Sequence, residues 1–188
     1  MNYLPRTIQP VIEEASKFFK IVMVSGMRQV GKSTLLKQLS SDKRTIISFD
    51  DINNLESAKN APLQFLQLNP PPCFFNQVQR VPEIFKALKI SVDSRSEKGL
   101  YWLSGSQKLS LMSQVSDALP GRLMNFELWP FSIYEIAGKG LEQKPYLPSF
   151  SLSSNLPILD PADTWNAVFQ GFWPELKKAT ETERSCFF

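Results

Sequence analysis

The 188-residue sequence contains no histidine. That absence removes His-based catalytic triads, His-ligated zinc and imidazole pH sensing together, so any catalysis falls to carboxylates, Lys, Arg or hydroxyls. Cysteine is scarce. Cys73 and Cys186 are far apart and belong to no CxxC pair or secreted-protein spacing pattern, so they read as reduced thiols. Neither sign of charge dominates: 21 Lys and Arg against 18 Asp and Glu give a net of +3, with no block of like charges. A strongly basic binding module is thereby excluded, and nucleic-acid binding gains no support. No window approaches the roughly 18 apolar residues of a membrane span. The N-terminus MNYLPRTIQPVIEEASKFF scatters charges where a targeting segment would carry an uninterrupted apolar core. The expectation is a soluble cytoplasmic protein. What is present is a 43% hydrophobic chain, enough to bury the core of one ordinary domain.

Along the chain, strands alternate with helices. Ile8, Val11, Ile12, Ala15, Phe18 and Phe19 recur at three- and four-residue steps, the period of an amphipathic helix over 8–19. Lys20–Ser25 (KIVMVS) is a short β-branched run stopped by Gly26, as a buried parallel strand should be. Leu35, Leu36 and Leu39 predict a helix, and Arg44–Phe49 a second strand closed by Asp50 and Asp51. A helix over 57–68 restarts at Pro62. The Pro70-Pro71-Pro72 run then forces an extended approach to a third strand at Cys73, Phe74 and Phe75. Pro82 suits the first turn of a helix through Ile84, Phe85, Leu88 and Lys89. Leu100–Leu103 is a fourth strand ending at Ser104-Gly105-Ser106, 107–115 a helix, and Leu123–Leu128 a fifth strand after Gly121. This alternation specifies an α/β parallel sheet with helices on both faces. Beyond Ile136 the character shifts. The expected organisation is a nucleotide-binding core over 1–136, a Pro/Ser-rich loop or insertion over 137–162, and a C-terminal helical segment over 163–188.

Gly26-Met27-Arg28-Gln29-Val30-Gly31-Lys32-Ser33 matches GxxxxGK[ST]. Glycines let backbone N–H groups turn inward around phosphates, Lys32 meets the β- and γ-phosphates, and the Ser33 hydroxyl can bind Mg²⁺. The N-terminus of the helix that follows, through Thr34, adds its dipole to anion binding. Average residue usage gives a chance match in roughly one chain in a hundred or fewer. Here the match also sits between an apolar strand and an amphipathic helix, the context the motif requires. No Asn/Thr-Lys-x-Asp guanine-reading tetrapeptide is present, which favours ATP.

GMRQVGKSTLLKQL, then SFDD, QRVPEIFKALK, LSGSQ, LPGR and GFWPEL, in that order, resemble the prokaryotic AAA-type ATP-binding proteins, whose N-terminal P-loop domain is usually followed by a second domain of poorly defined character. The likeness runs from Pro5 to Leu176. It implies an AAA+-like P-loop NTPase core with sheet order 5-1-4-3-2, ATP and Mg²⁺ as cofactors, and a homo-oligomer or a protein partner. By that resemblance Gly26–Ser33 is Walker A, 104–107 is the sensor-like end of the fourth strand, and Arg122 is an arginine-finger candidate. An ordinary solvated or carboxylate-paired Arg is the other reading of Arg122.

The chain departs from the family at the third strand. Members end it with Asp-Glu, where Asp positions Mg²⁺ and Glu prepares the attacking water; this chain has Asn76 and Gln77. An amide keeps size and hydrogen-bonding geometry but loses the charge that holds a divalent ion and the basicity that takes a proton. Hydrolysis is therefore expected to be weak or lost, while Asn76 can still accept a hydrogen bond from a Mg²⁺-bound water. Two further readings stand: turnover rescued by Asp50, Asp51 or a partner-supplied group, and a nucleotide-dependent interaction module without catalysis. Asp50-Asp51 also suits a helix cap or turn. A second departure is length, since the chain stops where the family's second domain begins, on the apolar Cys186-Phe187-Phe188. Truncation is the expectation there.

Overall fold

The structure is a computed structural model that describes residues 3–40, 43–106, 118–142, 160–162, 165, 168, 171–174, 176 and 180. Its elements run α1 (Gln9–Phe18), β1 (Ile21–Ser25), α2 (Lys32–Ser40), β2 (Thr45–Ser48), α3 (Ile52–Asn60), α4 (Pro62–Leu68), β3 (Cys73–Asn76), a 3₁₀ turn (Val78–Arg80), α5 (Ile84–Asp93), β4 (Tyr101–Ser104), β5 (Leu123–Glu127), α6 (Ile133–Ile136) and a second 3₁₀ turn (Gly140–Glu142). The five strands form one sheet in the order β2-β3-β4-β1-β5, and every pairing is parallel. Read from the other edge this is 5-1-4-3-2, the order the resemblance implies.

Local chemistry accounts for the boundaries. Asp51 caps α3 by accepting from the amides of Asn53 and Asn54, so that helix begins five residues before the position expected from its apolar residues. Pro62, with no N–H to donate, separates α3 from α4. The helix expected over 107–115 lies outside the described residues, as does most of the segment beyond residue 142. Residues 161, 162, 165 and 168 are helical.

Two compact units divide the chain: Pro10–Trp129, and Met1–Gln9 with Pro130–Phe188. The cut thus falls before the expected boundary at 136 and gives the first nine residues to the C-terminal unit. In the larger unit, Ile47, Phe75, Leu103 and Met23 line one sheet face and pack with Phe49, Phe65, Phe85 and Leu88. Phe49, Phe65 and Phe75 meet there as tilted rings and Phe75 stacks on Tyr101, with centroids 5.7–6.0 Å apart in each pair. Such contacts add about 0.5–1.5 kcal/mol each beyond their buried area. On the opposite face Trp102 donates to Ser16 Oγ of α1 at 2.7 Å and lies under the Arg44 guanidinium at 4.0 Å. Helices therefore cover both faces.

In the smaller unit, the Glu135 carboxylate accepts from Thr7 N and Ser132 N, each at 2.8 Å, and pairs with Arg6 Nε at 3.1 Å. The Arg6 guanidinium also sits 4.5 Å from the Phe131 ring centroid. This buried ion pair ties the N-terminal residues to α6. Phe172 and Trp173 are half-buried.

Candidate functional site

Parallel strands deliver their C-terminal ends to one edge of the sheet, and ligands of open α/β sheets bind there. β1 ends at Ser25, and the Gly26–Gly31 loop follows directly into α2. Gly26 takes φ +145°, and a Cβ there would stand 2.3 Å from the Leu128 carbonyl oxygen. Only glycine fits. Gly31 (φ 91°) and Gln29 (φ 64°) also adopt positive φ, which turns the loop into a cradle. Lys32 Nζ donates to the carbonyls of Gly26, at 2.9 Å, and Met27. Partial burial holds its pKa below the usual lysine value, a penalty that a bound phosphate would relieve. Met27, Arg28 and Thr34 are exposed, whereas Val30 is buried beneath the loop.

The last residues of three adjacent strands share one register row, Ser48 opposite Asn76 and Asn76 opposite Ser104. Asn76 is the hub of this row and is 7% exposed. Its Oδ1 accepts from Ser33 Oγ at 2.5 Å and Ser104 Oγ at 2.6 Å, and its Nδ2 donates to Ser48 Oγ at 3.2 Å. Ser33 and Asn76 are thus brought together.

Gln77 sits in left-handed backbone geometry (φ 65°, ψ 42°). Its Oε1 accepts from Gln79 Nε2 at 2.6 Å, and Gln79 Oε1 in turn accepts from the Ser106 amide at 3.3 Å. Sequence reasoning missed Ser48 and Gln79. Ser48 carried a signal, a polar residue closing an apolar strand as Asn76 and Ser104 close theirs; Gln79 carried none.

The remaining candidates separate. Asp50 pairs with Arg80 at 2.8 Å and accepts from Ser48 Oγ at 3.4 Å, while Asp51 is spent on the α3 cap. Arg122 stands just before β5, five residues and so about 16 Å from the loop end of the sheet. There it forms a two-pronged pair with Asp93, through Nε to Oδ1 and through Nη2 to Oδ2 at 3.1 Å. This holds the Asp93 carboxyl below the usual carboxylate range.

A strand–glycine cradle–helix unit with its Lys and Ser in place, at the carboxyl edge of a parallel 5-1-4-3-2 sheet, is P-loop architecture, and a family model described as AAA domain matches residues 18–137. The chain belongs to the AAA domain family. Members of this AAA ATPase family generally bind ATP with Mg²⁺. Two uncharacterized proteins, one of Mycobacterium tuberculosis and one of Mycobacterium bovis, are each 27% identical to it over 141 residues, 72% of this chain and 32% of theirs. The chain thus spans about a third of the length of these curated relatives. Among solved structures, a variant of Thermotoga maritima RuvB aligns at TM-score 0.45 and 18% identity, covering 68% of this chain and 45% of that one. Among the described residues, no helix is long and apolar enough to cross a membrane.

The AAA domain's cradle fits a triphosphate, since it offers Lys32, the Ser33 hydroxyl and the N-terminus of a nine-residue helix. The fit to Mg²⁺ is poor. Such sites supply one or two carboxylates beside the phosphates, and here the two oxygens at that position belong to a hydroxyl and a neutral amide. Among the described residues, no cluster of three metal-ligating side chains occurs.

Proposed function

We propose that this AAA domain binds ATP in the Gly26–Ser33 loop and hydrolyses it weakly or not at all. Asn76 and Gln77 carry the conclusion, because they stand where a metal-positioning Asp and a water-activating Glu are expected. Gln77 has no basic oxygen with which to take a proton from water, and a positioned general base supplies on the order of 10²- to 10⁴-fold in rate. The Lys32 and Ser33 side chains, by contrast, keep the types needed to grip phosphate. Asp50 does not replace the missing base, for its charge is matched by Arg80 and it reaches Asn76 only through Ser48. Arg122, held by Asp93, takes no part in its own loop's chemistry. A free, buried Cys73 and a net charge of only +3 fit a cytoplasmic ATP-responsive component rather than a nucleic-acid binder.

One observation favours a second reading, in which occupancy changes interactions rather than driving turnover. The hydrogen bonds Gln77–Gln79–Ser106 link the residue after β3 to the backbone that leaves β4, so a shift at the nucleotide edge has a hydrogen-bonded route to Ser106. Under this reading a homo-oligomer or protein partner senses the nucleotide.

The test pairs ATP titration with phosphate release, on the wild type and on Asn76→Asp/Gln77→Glu. Expected are binding without release in the wild type and release in the double variant. Absence of ATP binding overturns the proposal, and wild-type phosphate release at rates ordinary for an ATPase overturns the loss of hydrolysis. For the second reading, the assembly state with and without ATP is compared; an assembly that ignores nucleotide refutes it.

A further inference from the structure

Resting on the reading of this loop as an ATP site, we infer that it takes the triphosphate free of a divalent cation, so that Mg²⁺ is neither required for binding nor strengthens it. The donor set carries the inference. A carboxylate at the end of β3 would do two things: attract a metal bridging the phosphates, and repel the bare phosphates when the metal is absent. Together these make a nucleotide site prefer the metal complex. Asn76 does neither. Its carbonyl oxygen has two lone pairs, and both are occupied by the hydroxyls of Ser33 and Ser104.

No neighbouring carboxylate substitutes for it. Asp50 is matched by Arg80, and Asp51 Oδ1 accepts the amides of Asn53 at 2.8 Å and Asn54 at 3.4 Å. Glu127 ends β5 in register with Ser25, beside the start of the loop, but three strands, about 14 Å at the usual interstrand spacing, from the Asn76 position at the end of β3. On the other side of the balance, Arg28 and Lys32 give the loop two positive charges. Bound Mg²⁺ lowers the negative charge these two cations meet, while gaining from this chain only the Ser33 hydroxyl. The losses and gains are of similar kind and opposite sign, so the coupling between metal and nucleotide is small. Linkage makes this reciprocal: Mg²⁺ gains no affinity for the protein-bound nucleotide over the free one.

The experiment is calorimetric titration of the wild-type protein with ATP in EDTA and again in millimolar Mg²⁺. The affinities are expected to agree within about threefold. Asn76→Asp, titrated the same way, is expected to bind ATP more weakly in EDTA and to recover in Mg²⁺, a change on the order of tenfold or more, within the range typical of coupled sites. Wild-type binding tightened tenfold or more by Mg²⁺ overturns this inference while leaving the ATP site standing. No binding under either condition overturns the ATP site itself, and this inference with it. The wild-type comparison decides the matter even if Asn76→Asp does not fold.

Discussion

Replacing Gly26 with alanine should damage this protein far more than the same change at Gly121, although both glycines have positive φ. At Gly121 (φ +70°) no atom lies within 4 Å of the added Cβ, so Gly121→Ala bears only the backbone cost of an L-residue in that region, about 1–2 kcal/mol. At Gly26 (φ +145°) the new Cβ stands 2.3 Å from the Leu128 carbonyl oxygen and 3.3 Å from its carbon and nitrogen. The obstacle is main chain, and it cannot rotate away. Leu128 follows β5 and donates its amide to Ser25 O at 2.8 Å, so relief requires pushing the end of β5 off β1. Forced displacement in a packed region costs about 1–3 kcal/mol, and the lost hydrogen bond about 0.5–1.5 kcal/mol. With the backbone cost the total is about 2.5–6.5 kcal/mol, a large share of ordinary domain stability. For a chain of this length that corresponds to roughly 5–26 °C in Tm. Urea unfolding followed by tryptophan fluorescence suits the comparison, since Trp102 lies 4% exposed in the same unit. The displacement also moves the start of the phosphate loop, so ATP affinity should fall in parallel. If Gly26→Ala unfolds within about 0.5 kcal/mol of Gly121→Ala, the close approach of Leu128 is not what glycine serves, and the reasoning fails.

Asn76→Ala leaves the buried Ser104 hydroxyl and Ser33 without their shared acceptor, and should cost about 2–4 kcal/mol, against about 1 kcal/mol for Ser104→Ala; equal urea midpoints for the two variants would refute the hub. Glu135→Ala strands the Arg6 guanidinium in a site 5% exposed on its side chain. It should cost about 3–5 kcal/mol and expose the Thr7 and Ser132 amides to hydrogen exchange, whereas retained protection at both would show that the carboxylate holds nothing in place. Burial raises the Cys73 thiol to about 11 from an ordinary 9.0. Its protonated form is therefore favoured in the fold, and that contribution is complete below about pH 9 and lost as pH rises through about 11. The wild type should lose more stability than Cys73→Ala across that window, and parallel losses in the two proteins would contradict the burial.

Much of the fold was legible because each strand carries its own punctuation. β1 is an apolar run stopped by glycine, β3 follows the proline run, and β4 stops at Ser104-Gly105-Ser106. Periodicity reported these directly, to within a residue or two. The start of α3 was not legible from its apolar residues, because Asp51 decides it by capping, and Asp50-Asp51 had competing uses as turn, cap or catalytic carboxylates. The loop of the site was also legible, since GxxxxGK[ST] encodes backbone shape and chemistry within eight consecutive residues. The partners of Asn76 were not. Ser33, Ser48 and Ser104 lie 28 or 43 positions away from it, and no short-range pattern connects them.

The sequence by itself determined that strands and helices alternate, that a glycine-rich GxxxxGK[ST] loop follows the first strand, and that the amides Asn76 and Gln77 close the third. These are local properties, set by side-chain type and by spacing along the chain. Only the tertiary structure decided that Ser48, Asn76 and Ser104 form one row beneath Ser33, that Asp50 is matched by Arg80, and that Arg122 lies at the far end of the sheet, bound to Asp93. Parallel strands are joined by crossovers, so residues distant in sequence meet wherever the strand order and register put them, and here they fill the acceptor oxygen of Asn76 with the hydroxyls of Ser33 and Ser104.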